Sequence, residues 1–183
     1  VEKLLTPIGV NVEDLDLSDL LGFQEIINKF KPDTIIHLAA RPGVRTPLKE
    51  STKYVHDNLI AFTNVLQCAV ESSIPNFLYA SSSSVYGNSK EKNYSEEDYS
   101  ITPISIYGAT KRANEILAPA YAANSKTRTR GLRFFTVYGP WGRPDMAYFR
   151  LIAAAINKSE FNKFGTGNIR RDFTYIDDIV NAI

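Results

Sequence analysis

Apolar positions along the chain follow two rhythms. From Asp19 to Phe30 they recur every three or four residues, at Leu20, Leu21, Phe23, Ile26, Ile27 and Phe30, which predicts an amphipathic helix. Lys31-Pro32-Asp33 ends it, because proline cannot continue a helical ladder. Thr34 to Ala40 is a short, nearly continuous apolar run, the pattern of a strand buried on both faces. The same reading predicts a helix over Asn58 to Ser72, a buried strand over Asn76 to Ala80 and a polar loop from Ser81 to about Thr102. A helix follows from Tyr107 to about Asn124, with Pro119 as a candidate kink, and then a strand over Arg130 to Val137. Tyr138 to Asp145 is turn-rich, Met146 to Asn157 is helical, and a last helix starts near Ile179. An earlier strand is expected to end near Val12 to Leu15.

Strands alternating with helices predict an α/β fold with a doubly wound parallel sheet and right-handed crossovers. Ligands of such sheets sit beyond the carboxyl ends of the strands. That rule selects the loops after Ala40, Ala80 and Val137, and those loops hold most of the unusual chemistry.

Composition narrows the choices. Hydrophobic residues are 44% and charged residues 22% of the 183, as in ordinary globular chains. The 21 basic and 20 acidic residues leave a net charge of +1, so no nucleic-acid partner is expected. Lys126 to Arg130 with Arg133 reads as a solvated turn and strand entrance. Cys68 is the single cysteine, which rules out an intrachain disulfide, and its apolar neighbours suggest a core thiol. No apolar run reaches the roughly 20 residues of a membrane span, and no secretory leader opens the sequence, so a cytoplasmic protein without a membrane partner is expected. No metal-ligand constellation is visible.

Tyr107 and Lys111 are four residues apart on one predicted helix and so share a face. An ammonium beside a phenol favours the phenolate, which suits Tyr107 to general base and acid work. Ser81 to Ser84 follow a buried strand directly, where small hydroxyls can bond a substrate oxygen. Either feature alone is commonplace. Their order is not: strand, hydroxyl cluster, loop, then a helix with Tyr and Lys. Other candidates have plainer readings. His37 is expected in the core, His56 on the surface, Trp141 as a packing anchor, and Tyr94, Tyr99 and Tyr148 as structural. Asp177 and Asp178 are expected to cap the last helix.

Together, His37-Leu38-Ala39-Ala40, Ser81 to Gly87, Tyr107 with Lys111, Tyr138-Gly139-Pro140 and Arg171 to Asp178 resemble the extended short-chain dehydrogenase/reductase family, in the family's order, over about residues 10 to 183. Within it, Gly131 to Met146 and Gly43-Val44-Arg45 most resemble bacterial and plant UDP-glucuronate 4-epimerases. The resemblance implies a bound NAD and a UDP-sugar substrate inverted at C4 through a transient 4-keto sugar. Tyr107 would be the acid/base, Lys111 would hold the nicotinamide ribose, and Ser82 would be the catalytic hydroxyl. Asp16 and Leu17 would contact the adenine side of the cofactor. Leu38, Ala39, Ala40, Asn58, Ala80, Ser81, Phe134 and Val137 would line the rest of its site. Arg45, Ser82, Ser83 and Thr136 would meet the sugar, Thr136 with Ser81 to Ser83 receiving its carboxylate. Arg143 and Arg171 would face the nucleotide. A homodimer through the helices 58–72 and 107–124 is also implied.

Relatives that dehydrate the sugar carry Asp-Glu right after the catalytic hydroxyl, where this chain has Ser83 and Ser84. A neutral-sugar (UDP-glucose or N-acetylhexosamine) 4-epimerase and a dinucleotide binder without turnover are the alternatives. The family's glycine-rich phosphate loop is not found, Arg41-Pro42 replaces a more usual Gln-Ala, and both ends are expected to be missing. Residues 1–140 would then be a partial Rossmann-like cofactor domain, and 141–183 the start of a substrate lobe. Such a fragment is expected to bind NAD poorly and to be inactive alone.

Overall fold

A computed structural model describes residues 9–45, 47–89, 93–162 and 170–183. The chain divides after Arg133 into two compact units. In the first, helix α1 (Leu20–Phe30) opens on Asp19, whose carboxylate accepts the Gly22 N–H at 3.0 Å. It closes on Lys31, left-handed at φ 46°, whose N–H reaches the Ile27 carbonyl. Strand β1 (Thr34–His37) pairs in parallel with β2 (Asn76–Ser82), Thr34 opposite Asn76 and His37 opposite Tyr79. Strand β3 (Arg128–Phe134) completes a sheet of order β1-β2-β3. Between β1 and β2 the chain is helical from Leu48 to Glu71. Helix α2 (Ser51–Val55) runs through a π-helical turn, His56–Ile60, into α3 (Ala61–Glu71). Helix α4 (Ile106–Ala122) leads into β3.

The core lies between the sheet and these helices. Phe62, Val65, Leu66, Cys68 and Ala69 of α3 and Ala118 of α4 meet Phe77 and Tyr79 of β2, with Ile27 of α1 at the edge. Rings dominate its centre: Phe62 stands edge-on to His37 at 5.5 Å, to Phe77 at 5.8 Å and to Tyr79 at 5.2 Å between centroids. Such edge-to-face contacts add to the apolar burial. Cys68 is fully buried, and desolvation raises its thiol pKa, as a core thiol requires. Gly131 lets β3 close on this layer, since a Cβ there would lie 2.7 Å from the Tyr79 ring.

In the second unit, β4 (Thr136–Tyr138) pairs in parallel with β5 (Phe173–Tyr175), and helices α5 (Ala147–Asn157) and α6 (Ile176–Ala182) accompany them. The parallel α/β class is as the sequence reads. No described helix is long and apolar enough to cross a membrane.

Several local expectations are corrected. β1 is buried on one face only. Ile35 and His37 turn towards the helices, whereas Ile36 is 48% exposed on the opposite face. An apolar run tells that both faces could be covered, not that both are. Residues 10–16 enter no ladder, so the strand expected before Asp16 is not formed. Asp177 and Asp178 lie inside the first turn of α6 rather than capping it, because the helix starts at Ile176. There their carboxylates face the positive helix end. Trp141, expected as an anchor, is 89% exposed at φ 64° in a turn. Tyr99 is likewise exposed, while Tyr94 stacks on Tyr86 at 4.5 Å and Tyr148 donates to the Val137 carbonyl at 3.3 Å.

Candidate active site

The site grows from the carboxyl end of β2. Lys111 is 1% exposed, and its ammonium donates to the Ala80 carbonyl at 2.8 Å. Burial lowers its pKa to about 8, so near neutrality most of it still carries the proton. Lys111 Nζ lies 6.0 Å from the centre of the Tyr107 ring, one helical turn earlier. Helix α4 begins beside this tyrosine because Ser105 caps it, accepting the Gly108 N–H at 3.0 Å.

Ser82 ends β2 and caps a 3-10 turn, Ser83–Tyr86, accepting the Ser84 N–H at 3.1 Å. That turn rests on the start of α4. A Cβ on Gly108 would lie 2.6 Å from the Ser84 carbonyl, so a glycine next to Tyr107 is needed for the approach. Phenol, ammonium and serine hydroxyl therefore come from one helix and one strand end that touch. Gly87, at φ 59°, then bridges to Thr102 and closes the loop.

Asn58 joins the other side. It is buried in the π-helical turn, accepts the Arg41 N–H at 2.7 Å, and donates to the Arg41 carbonyl and to Thr110 Oγ1, each at 3.1 Å. Thr110 in turn donates to the Tyr107 carbonyl at 2.8 Å. Asn58 thus ties the loop after β1 to the helix of Tyr107. Leu38, Ala39 and Ala40 lie at the start of that loop, Leu38 and Ala39 exposed. Arg41, the departure noted in the sequence, pairs with Asp57 at 2.6 Å. Asp57 stays below the usual carboxylate range: burial pushes it up, but bonds from His56 and Arg41 outweigh that.

Asp16 is exposed; the Ser18 N–H at 2.8 Å lowers its carboxyl pKa, and Leu17 follows in the same turn. Arg45 is exposed in a bend after Gly43. Ser83 sits in the 3-10 turn and Phe134 ends β3. In the second unit, Thr136 and Val137 belong to β4, where the Thr136 N–H donates to the Asp172 carbonyl at 3.2 Å. Arg143 holds Asp145 through Nε and Nη2, and Arg171 donates to the Arg170 carbonyl at 2.9 Å.

One group escaped the sequence reading. Glu115, on the row of Tyr107 and Lys111 at the next i+4 step, binds Arg112, Arg133 and the Ser81 hydroxyl. Burial pushes its carboxyl up, yet these bonds hold it below its ordinary range. Arg133 is therefore no member of a solvated basic cluster. Helical spacing could have shown Glu115 and Arg112; Ser81 and Arg133, distant in sequence, could not be read as its partners.

His37 is a core residue. Burial, with the charge of Lys111 second, lowers its pKa to about 4, against about 6.5 unfolded. Between these values the unfolded chain binds the proton and the folded one does not, so stability falls as pH drops from about 6.5 to 4. About 3 kcal/mol is expected to go in that window. Denaturant midpoints measured across it should fall for the unaltered protein and stay flatter for His37→Leu.

A parallel α/β sheet with tyrosine, buried lysine and serine near a strand's carboxyl end defines a Rossmann-like fold whose candidate site lies where such sheets place one. The chain belongs to the NAD dependent epimerase/dehydratase family, whose profile it matches over residues 2–183. It is similar to Protein CapI of Staphylococcus aureus, 46% identical over 153 residues, which are 84% of this chain and 46% of that protein. It is also similar to UDP-glucuronate 4-epimerase 3 of Arabidopsis thaliana, 43% identical over 185 aligned residues, 99% of this chain and 43% of that one. The structure of UDP-glucuronic acid 4-epimerase from Bacillus cereus, in complex with UDP-glucuronic acid and NAD, aligns with TM-score 0.81 at 35% identity, over 98% of this chain and 57% of that one. The chain spans about half the length of the curated relatives it matches.

Proposed function

We propose that the whole protein epimerises a nucleotide sugar at C4 with NAD as bound cofactor, converting UDP-glucuronate to UDP-galacturonate. The carrying observation is the buried Lys111 ammonium, fixed by the Ala80 carbonyl near the end of the strand that Ser82 terminates and one helical turn from Tyr107. A buried cation at the end of β2, with the small residues Ala39 and Ala40 following the neighbouring strand β1, fits a dinucleotide with its ribose on Lys111. Lys111, Asn58 and the Leu38 to Ala40 segment would hold it, with Asp16 and Leu17 on its adenine side. When bound there, NAD supplies a reversible acceptor for the C4 hydride.

The chain's own groups handle the proton and the oxygen. Tyr107, one helical turn before the Lys111 ammonium, is the acid/base: its phenolate takes the proton of the C4 hydroxyl and later returns it. Ser82 donates a hydrogen bond to the carbonyl oxygen that develops at C4. Ser83 and Ser84 offer no acid or base for chemistry at C5 or C6, which favours simple inversion over dehydration. Ser82 and Ser83 would receive the uronate carboxylate, Ser81 being taken up by Glu115, and Arg45 suits the anionic nucleotide sugar; in the second unit Thr136, Arg143 and Arg171 suit an anionic ligand. Pairing through helices 58–72 and 107–124, which expose Ile60, Ile116 and Tyr121, is part of the same reading.

Incubating the whole protein with UDP-glucuronate and NAD should yield UDP-galacturonate from a particle with the mass of a pair. UDP-xylose or an accumulating 4-keto sugar, with no UDP-galacturonate, would overturn the reaction, and a monomer would overturn the pairing.

A further inference from the structure

We infer that Glu115 is a positioning residue for Ser82, its carboxylate pinning both ends of the turn that carries that hydroxyl. The inference rests on the reading of Ser82 given above. Each carboxylate oxygen of Glu115 is doubly engaged. Oε1 accepts Ser81 Oγ at 2.6 Å and Arg133 Nε at 2.8 Å; Oε2 accepts Arg112 Nη1 and Arg133 Nη2, both at 2.9 Å. The fork of Arg133 is thus bidentate, the geometry that adds direction to attraction. The same guanidinium lies over the Tyr86 ring, 4.8 Å from its centre. Ser81 begins the segment and Tyr86 ends it, so one carboxylate restrains both flanks of Ser82 to Val85.

The arrangement is specific to orientation. Neighbouring strand residues point to opposite faces. Ser81 is held by Glu115 of α4, and Ser82, next in the strand, turns its hydroxyl into the following turn, accepting the Ser84 N–H at 3.1 Å and donating to Ser84 Oγ at 3.2 Å. Glu115 touches no reacting atom. It acts through Ser81 and Arg133.

Two measurements test this in the whole protein. The first is amide exchange at Ser84 in Glu115→Gln. Protection there should fall at least tenfold while the amides of α4 keep theirs; unchanged Ser84 protection overturns the inference. The second is a double-mutant cycle with Ser82→Ala. Glu115→Gln should lower kcat about tenfold with KM for the UDP-sugar unchanged, and should cost nothing further once Ser82 is alanine. Independent, additive losses overturn it. If Ser82→Ala itself keeps full turnover, the proposed chemistry fails instead, and Ser84 exchange still decides whether Glu115 positions the turn. Should Glu115→Gln not fold, Ser81→Ala removes one of the four bonds and is read the same two ways. Failure of both to fold would make the group a structural one and sink the inference.

Discussion

Replacing Tyr107 by phenylalanine is expected to lower turnover of UDP-glucuronate by about 10³-fold, within the 10²–10⁴ range for a positioned acid/base. The substitution removes one oxygen and keeps the ring, so the packing of Ile106–Ala122 should survive. Lys111 is held by burial and by the Ala80 carbonyl and should stay where it is. KM for the sugar and affinity for NAD should therefore change little, and the loss should fall on kcat. Steady-state kinetics with a dinucleotide titration would separate the two. A variant with full kcat would remove Tyr107 from the chemistry. A protein inactive in both forms, with equal dinucleotide affinity, would be better described as a binder.

The largest effect on stability is expected at Phe62. Its side chain is fully buried and touches His37, Phe77 and Tyr79 with its ring, joining α3 to both β1 and β2. Phe62→Ala removes most of that contact and leaves a void that close-packed neighbours cannot fill, a change that costs about 3–5 kcal/mol. Marginal domains hold only about 5–15 kcal/mol in total, so the variant should unfold at markedly lower denaturant. A drop below about 1 kcal/mol in chemical denaturation would mean that the core relaxes around the gap. Phe62→Leu should recover much of the loss, since it restores volume without the edge-to-face contacts.

What the sequence made legible is what one element carries by itself. Tyr107 and Lys111 are a helical turn apart, and Ser82 follows a recognisable strand, so their meeting could be read from periodicity and the rule for strand ends. Most helix boundaries were read to within a few residues, Asp19 included, but the helix Ser51–Val55 that precedes Asn58 was missed. Coverage of β1 was misread because all-apolar spacing carries no information about which face meets a neighbour. The π-helical turn at His56–Ile60 has no signature in composition, and it holds Asn58. Glu115 stands on a legible helix face, but its meaning depends on Ser81 and Arg133, each more than a dozen residues away. Trp141 was misplaced for a similar reason: a large ring implies burial only on average.

Asn58 has a mechanical consequence. One amide group grips the main chain at Arg41 with two bonds and the Thr110 hydroxyl with a third. The rim beyond β1 and the helix that presents the phenol are thereby fastened to a single buried point. Strain applied at either is shared by the other, and since such linkage is reciprocal, whatever tightens the rim must draw on the same free energy that holds the helix in register.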